Sequence, residues 1–253
     1  GVRKTETGWS VDCPDPTNDI VICLAEDLRV HESEIANSRL RIYHFSFTDS
    51  TLEALSSDIA VIIRSFNRWF AAIGRDVNIV ESRREKGGGY GRIGGIFLGG
   101  FDGGTYMTGR ESFNRYLAHE LSHQWWHRAP STSWEDWLNE SFAEYSALSL
   151  IREVYGTESF NARLEKKKNE IEGTSPIWGF DRNGDPDGQK ILYSKGPVLL
   201  FRLEERIGRE RFLRLCSDIY KLDIAFTEDF LELLEDSEGV QARIWFEEML
   251  KTL

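Results

Sequence analysis

The sequence predicts an α+β protein in which short strands come first and helices dominate the rest of the chain. β-rich stretches occupy residues 1–50, where prolines and polar turns interrupt them. Residues 51–73 instead place apolar side chains three and four positions apart, which is the spacing of an amphipathic helix. From Gly208 onward the pattern is helical. With 253 residues, the chain is long enough for one large domain or for two lobes with real cores.

Local composition predicts where the individual elements lie. Gly74 ends the helix of residues 51–73. A capping box of Thr108 and Glu111 is predicted to start the next helix. Strands are predicted at Trp9–Cys13, Ile20–Ala25, Arg39–Phe47 and Val77–Val80, and later helices at Trp137–Tyr155, Thr157–Ile171, Arg209–Leu222, Thr227–Leu234 and Val240–Leu250.

Charge and hydropathy exclude some classes of partner. The net charge of −11 argues against nucleic acid, which attracts basic surfaces. The basic run Lys166-Lys167-Lys168 lies in a helical pattern and is expected to be a solvated face. No apolar run approaches the roughly 20 residues that a membrane span needs. Because the chain begins with a polar stretch at Gly1 and not with methionine, we expect it to be a piece of a longer protein with further domains.

Two features leave alternatives open. Cys13 and Cys23 can pair across neighbouring strands in an oxidising compartment, or they and Cys216 can all be free thiols, so the sequence does not assign a compartment. Residues Asp181–Asp187 alternate oxygen ligands as a calcium loop does. Pro186 stands at the glycine position of an EF-hand and Leu192 at the glutamate position, so a polar turn is the favoured interpretation and a calcium site the alternative.

The strongest chemical signal is His119-Glu120-Leu121-Ser122-His123, an H-E-x-x-H motif. On a helix, residues four apart lie one turn above each other, so both imidazoles can reach one tetrahedral zinc ion. Glu120 follows the first histidine and can take a proton from a water that the metal activates. The motif therefore predicts two metal ligands and a general base, and it requires a third ligand.

Two residues are candidates for the third ligand. His127 lies on the same helical face, but a straight helix would place it about 12 Å from His119 along the axis, too far for one metal ion. The glycine that bends the chain in H-E-x-x-H-x-x-G-x-x-H is replaced by Trp126, so that motif is absent. Glu140 opens the next helical run, and two antiparallel helices can bring it to the metal.

Residues His119–Trp125, followed by Trp137-Leu138-Asn139-Glu140, resemble the zinc-ligand signature of the aminopeptidase N and leukotriene hydrolase family of gluzincin peptidases. The resemblance implies that Glu140 is the third zinc ligand, across a loop that is shorter than is usual in that family. It also implies a thermolysin-like catalytic domain over residues 51–253, with a small α/β lobe, a larger helical lobe and the zinc helices at the cleft. Residues 1–50 would then be the remnant of a preceding β domain.

A second block, Tyr193-Ser194-Lys195-Gly196, resembles the Y-x-K-G segment that opens a helix in these peptidases. The resemblance implies that Tyr193 donates a hydrogen bond to the oxyanion of the tetrahedral intermediate. A phenol beside the metal is chemically suited to this, since it donates toward the negative charge that develops there.

The family's G-A-M-E-N strand, whose glutamate grips the substrate's free α-amine, has no full counterpart here. Its nearest equivalent is Gly94-Gly95-Ile96-Phe97-Leu98, and Phe97 stands at the glutamate position. A peptide can still pair with the backbone of such a strand, so Gly94, Gly95, Ile96 and Phe97 are the predicted substrate-binding residues. Without the carboxylate, we expect activity on internal or blocked peptides and not on free N-termini.

The sequence therefore predicts a zinc metallopeptidase. His119, His123 and Glu140 hold zinc, while Glu120 and Tyr193 are the catalytic residues and a peptide or protein is the substrate. The alternative is a zinc-containing peptide-binding or structural module with little or no hydrolytic activity. The missing amine anchor favours the alternative, and the presence of Glu120 and Tyr193 favours the enzyme.

Overall fold

The strands that the structure describes form two sheets. The structure is a computed structural model that describes residues 2–11, 25–35, 37–83, 89–92, 94–100 and 102–253. A small sheet pairs β1 (Val2–Lys4) with β2 (Trp9–Val11). The main sheet has the order β3-β4-β5-β7-β6, and its strands are β3 (Arg29–Ile35), β4 (Ser38–His44), β5 (Val77–Glu81), β6 (Tyr90–Arg92) and β7 (Gly95–Leu98).

The centre of the main sheet is parallel and its outer pairs are antiparallel. β4 pairs in parallel with β5, and β5 with β7, whereas β3 and β6 join antiparallel at the two edges. A parallel pair needs a crossover connection, which helix α1 (Asp49–Trp69) supplies between β4 and β5. Thr48 caps this helix by accepting a hydrogen bond from the Thr51 amide at 3.2 Å.

The rest of the chain is helical and is centred on α4. This helix is buried along most of its length, and α3, α5 and α7 pack against it. The helices are α2 (Gly103–Thr108), α3 (Arg110–Ser122), α4 (Trp137–Tyr155), α5 (Thr157–Glu170), α6 (Gly188–Lys190), α7 (Gly196–Ile207), α8 (Arg209–Lys221), α9 (Thr227–Glu238) and α10 (Val240–Thr252). Among the residues that the structure describes, no helix combines the length and the apolar character needed to cross a bilayer.

The predicted α+β class is confirmed, and α4 has the bounds that the sequence predicted. The predicted capping box of Thr108 and Glu111 is wrong. Thr108 is the last residue of α2, and its hydroxyl donates backward to the Thr105 carbonyl at 3.1 Å. Gly109 separates α2 from α3. The helix that carries the motif therefore begins at Arg110, and no side chain caps it.

The N-terminal predictions have mixed outcomes. Cys13, Cys23 and most of the predicted strand Ile20–Ala25 lie outside the described residues. Strand β3 was not predicted, although its hairpin partner β4 was. Because β4 pairs with β5, the main sheet contains strands from both sides of residue 50. The division into residues 1–50 and 51–253 stays a prediction.

Candidate metal centre

Three side chains from α3 and α4 converge at the end of the motif helix. His119 lies in the last turn of α3, His123 is the residue that caps it, and Glu140 lies in the first turn of α4. Glu140 Oε2 is 3.3 Å from His119 Nε2 and 3.7 Å from His123 Nε2. One ligand atom from each of these three residues lies within 4.8 Å of the other two.

This arrangement fits a metal ion. Glu140 Oε2 is buried and has no hydrogen-bond partner among the described residues, so a cation is the group that would satisfy it. Burial alone would raise the pKa of Glu140, but the two histidines and the Tyr193 hydroxyl lower it to about 2. Two imidazoles and a carboxylate are a ligand set that zinc takes in catalytic sites, which leave a fourth position open.

Both histidines have contacts on the ring nitrogen that faces away from the metal-binding group. His123 Nδ1 lies 2.9 Å from the Trp126 carbonyl, which leaves Nε2 directed at the centre. Burial would lower the pKa of His119, but its contacts with Glu140 and Glu144 raise it to about 9. His127 is not in the group, and its Nδ1 lies 3.0 Å from the His123 carbonyl.

The other residues of the Trp137–Glu140 block position Glu140. Trp137 is buried and its indole donates to the Thr227 hydroxyl at 2.8 Å, which ties the start of α4 to α9. Asn139 accepts from the Ala129 amide at 3.1 Å and donates to the Ala129 carbonyl at 2.9 Å. These bonds fix the loop that connects α3 with α4, so the first turn of α4 faces the end of α3.

Glu120 lies beside the two histidines and under the edge of the main sheet. It is 8% exposed. Its burial raises the pKa of its carboxyl, against the lowering effects of His119, His123 and the Gly91 amide. A Cβ atom added at Gly91 would lie 3.3 Å from Glu120 Oε2 and 3.0 Å from the Glu120 carbonyl oxygen, so strand β6 sits directly on the motif helix.

Tyr193 reaches the centre from a π-helical turn, Ile191–Lys195, which we call the Tyr193 segment. Ser141 of α4 donates to the Leu192 carbonyl at 2.8 Å. Any side chain at Gly196 would collide with Ser141, since a Cβ there would lie 1.8 Å from its Oγ. Lys195 is buried and donates to the carbonyls of Thr174 and Ser175 at 3.0 and 2.6 Å. The segment is therefore held close against α4.

The Tyr193 ring lies over the metal-binding group. Its centroid is 5.5 Å from that of His119, and its hydroxyl interacts with the Glu140 carboxylate. Burial and the negative charge of Glu140 raise the pKa of Tyr193 well above its usual value. The phenol thus stays protonated at neutral pH and remains a hydrogen-bond donor.

The sheet order contradicts the prediction that a peptide pairs with the strand containing Gly95, Ile96 and Phe97. β7, which carries Gly95, Ile96 and Phe97, pairs with β5 on one side and with β6 on the other. Its backbone is therefore not open to an added strand. β6 is the edge strand on this side, and Gly91 within it contacts Glu120. Gly94 lies in the turn between β6 and β7, and its amide donates to the Gln124 side chain at 2.8 Å.

The sequence analysis missed a charged cluster behind His119. Lys167 was expected to be solvated, but its ammonium is 2.8 Å from Glu144, whose side chain is 2% exposed. Arg115 approaches the same carboxylate at 2.7 Å. The spacing of Glu140 and Glu144, one helical turn apart, is the signal that indicates this second carboxylate.

The acidic loop does not form a second group of this kind. Asp181 and Asp185 accept hydrogen bonds from backbone amides two residues ahead, and Asp187 pairs with Lys190 at 2.7 Å. Within the described part of the chain, His119, His123 and Glu140 are the one group of three or more such side chains close enough to share a metal ion. The polar turn therefore remains the favoured interpretation of the loop.

The two histidines at the end of α3 and the glutamate at the start of α4 form a donor set that fits a single zinc ion. The chain belongs to peptidase family M1, because residues 103–249, more than half of its length, match the peptidase family M1 domain. The family uses zinc, in agreement with the predicted cofactor. The gluzincin resemblance is thereby confirmed.

Similar proteins include aminopeptidases and leukotriene hydrolases. A 138-residue stretch is 30% identical to the probable aminopeptidase 2 of Sulfurisphaera tokodaii and covers 49% of this chain and 18% of that protein. Another, of 148 residues, is 28% identical to leukotriene A-4 hydrolase of Xenopus laevis and covers 51% of this chain and 24% of that protein. The chain thus spans less than a quarter of these curated relatives.

Solved structures share the fold. The M1 zinc metallopeptidase of Deinococcus radiodurans matches with a TM-score of 0.71 and 16% sequence identity, over 88% of this chain and 51% of that one. The leukotriene A4 hydrolase of Saccharomyces cerevisiae matches with a TM-score of 0.65 and 18% identity, over 86% of this chain and 37% of that one. At such identities the likeness establishes the architecture alone.

Proposed function

We propose that the protein hydrolyses peptide bonds with one zinc ion held by His119, His123 and Glu140. The observation that supports this best is the convergence of these three side chains within 4.8 Å of one another, beside a buried glutamate and a protonated tyrosine. Membership of family M1 supports the same reaction class. When bound, zinc would act as a Lewis acid that polarises the scissile carbonyl and lowers the pKa of water.

Glu120 acts as the general base. It lies next to His119 in sequence, and its raised pKa brings the carboxyl closer to the range in which it can both accept and return a proton. It takes a proton from the attacking water and later passes it to the leaving amine nitrogen. Its burial under β6 excludes bulk water from this transfer.

Tyr193 stabilises the oxyanion. Its hydroxyl interacts with the Glu140 carboxylate, which places it within reach of a carbonyl oxygen bound near the same ligand. The donor is already ordered by the packed Tyr193 segment, so little reorganisation is needed as negative charge develops.

The substrate adds to the edge of the main sheet. In this proposal the domain is thermolysin-like: the sheet belongs to a small lobe, the helices around α4 belong to a larger one, and the zinc helices border the cleft. An extended peptide would pair with the backbone of β6, which is the edge strand and contacts Glu120 through Gly91. This replaces β7 as the predicted pairing strand.

The substrate is an internal or blocked peptide segment. A free α-amine is a cation and needs an acceptor where it docks. Phe97 stands at the expected carboxylate position, and two acids that could replace the missing carboxylate, Asp102 and Glu144, are otherwise engaged. Asp102 caps α2 by accepting from the Gly104 and Thr105 amides, and Glu144 is ion-paired with Arg115 and Lys167.

The missing anchor also favours a second candidate, a zinc-containing peptide-binding module without turnover. The deciding experiment is incubation of a mixed peptide library with the purified protein, with and without a chelator, read by mass spectrometry. The Glu120→Gln variant is the matched control. Cleavage that requires both the metal and Glu120 supports the enzyme. Retained zinc and peptide binding without any cleavage would reject the enzyme in favour of the binding module.

A further inference from the structure

Two helices bring positive charges to one buried carboxylate of a third helix, behind the candidate metal centre. Glu144 of α4 is 1% exposed. Arg115 of α3 donates to both of its oxygens at 2.7 Å, and the Lys167 ammonium of α5 is 2.8 Å away. A buried carboxylate with two cationic partners is held in place and stays ionised, because the positive charges compensate its negative charge.

The same carboxylate faces the metal-binding group. Glu144 Oε2 lies 3.2 Å from His119 Nδ1, while His119 Nε2 lies 3.3 Å from Glu140. The two ring nitrogens of His119 therefore face two different carboxylates, one at the centre and one behind it. A histidine that binds metal through one nitrogen commonly donates its other N–H to such a carboxylate, which fixes the tautomer and the ring orientation.

Lys167 extends this contact to the other side of the centre. Besides its ion pair with Glu144, its ammonium donates to the Tyr193 backbone carbonyl at 2.5 Å. The Tyr193 hydroxyl in turn interacts with the Glu140 carboxylate. These contacts join α3, α4, α5 and the Tyr193 segment around the metal-binding group.

We propose that Glu144 is a positioning residue for zinc binding. It holds the N–H of His119 at Nδ1 and so directs the Nε2 lone pair at the metal, while Arg115 and Lys167 fix the carboxylate. The inference rests on the proposed function in one respect, that His119 binds zinc. The competing explanation is that the cluster only fastens three helices together, and it predicts an effect on stability without an effect on the metal.

The test is a zinc titration of the metal-free protein against a competing chelator. Glu144→Gln should weaken zinc affinity by about 10-fold to 100-fold, the usual effect of losing such a partner. Glu153→Gln is the matched control, because Glu153 lies on the same helix and pairs with Arg68 at 2.7 Å, outside the metal-binding group. Its zinc affinity should equal that of the wild type. Circular dichroism would confirm that the variants are folded to the same extent.

A second measurement reports the tautomer of His119 directly. In ¹⁵N-labelled, zinc-loaded wild type, long-range ¹H–¹⁵N spectra should show His119 with its proton on Nδ1 and protected from exchange. In Glu144→Gln that proton should lose its protection. If Glu144→Gln does not fold, Glu144→Asp keeps the charge and shortens the reach, and it should show the same direction of change in both measurements.

The outcomes separate the two proposals. Wild-type zinc affinity and an unchanged His119 signal in a folded Glu144 variant would overturn the positioning role and leave the proposed function standing. Tight zinc binding that depends on Glu144, without any peptide cleavage, would support the positioning role and overturn the proposed hydrolysis. A wild-type protein that does not bind zinc would overturn both.

Discussion

The two walls of the candidate site are made from opposite kinds of residue. The helical wall, α3, α4 and the Tyr193 segment, presents buried charged and polar side chains, each held by a partner on another element. The strand wall, β6, approaches Glu120 with a glycine, Gly91, and so contributes backbone alone. The comparison teaches that function at the helical wall depends on which group is present, whereas at the strand wall it depends on a side chain being absent.

The largest effect is expected at the helical wall, from loss of a ligand. Glu140→Ala removes the carboxylate that faces both histidines, so zinc content should fall from about one per chain and activity should fall with it. Elemental analysis of the purified variant checks this. His127→Ala is the control and should keep its zinc, because His127 bonds to the His123 carbonyl and is not part of the group. Unchanged zinc in Glu140→Ala would remove Glu140 from the site.

The next effect separates chemistry from metal binding. Glu120→Gln keeps the size of the side chain and removes its basicity, so turnover should fall by about 10²-fold to 10⁴-fold while zinc stays bound. Steady-state rates and elemental analysis on the same preparation check this. A glutamine variant with bound zinc and a near-normal rate would contradict the role of Glu120 as general base.

Tyr193→Phe is expected to have a somewhat smaller effect. The change keeps the ring and its packing on His119 and removes only the donor, so kcat should fall by about 10²-fold to 10³-fold, with less change in KM. Tyr145→Phe is the control, because Tyr145 is a buried tyrosine whose hydroxyl donates to Glu204 at 2.8 Å, away from the centre. The control should change stability and leave kcat unaltered. If Tyr193→Phe behaves like the control, Tyr193 is a core residue.

The strand wall is tested with a pair of glycines. A Cβ at Gly91 would lie 3.0 Å from the Glu120 carbonyl oxygen, whereas a Cβ at Gly95 would meet nothing within 4 Å. Gly91→Ala should therefore shift β6 by a fraction of an ångström and lower kcat/KM by about 10-fold, since small misplacements at an active site are costly. Gly95→Ala should leave the rate unchanged. Equal rates in both variants would show that β6 does not act on the site.

The helical wall was accessible to sequence analysis for a physical reason. His119 and His123 are four apart on one helix, so local spacing determines their common direction. Glu140 lies on the next helix, and it was the resemblance of the Trp137–Glu140 block to a known signature that indicated its role. Glu144 follows the same rule one turn after Glu140, but its partners Arg115 and Lys167 come from two other helices. The contact of these two side chains with Glu144 depends on how the three helices pack, and the local sequence around Lys167 does not indicate that packing.

The strand wall was not accessible in the same way. The sequence predicted that a peptide pairs with the strand that became β7, but β7 lies between β5 and β6. Strand order depends on which strands pair, and a glycine-rich segment has few side chains whose alternation would indicate a register. The pairing of β4 with β5 across the long helix α1 is another contact that no local pattern indicates.

The smallest effect is expected where the strand wall would meet the substrate's N-terminus. If no carboxylate awaits a free α-amine, one peptide offered with a free and with an acetylated N-terminus should be cleaved at similar rates, and amino-acid anilides should be poor substrates. Asp102 and Glu144 are held in a helix cap and an ion-pair cluster, so neither is placed to supply the missing acceptor. Relative kcat/KM for the two forms of the peptide is the measurement, with Glu120→Gln as the background control. A strong preference for the free amine would contradict the prediction. It would mean that the strand wall supplies charge as well as backbone, and it would assign this chain the aminopeptidase specificity that several of its relatives are named for.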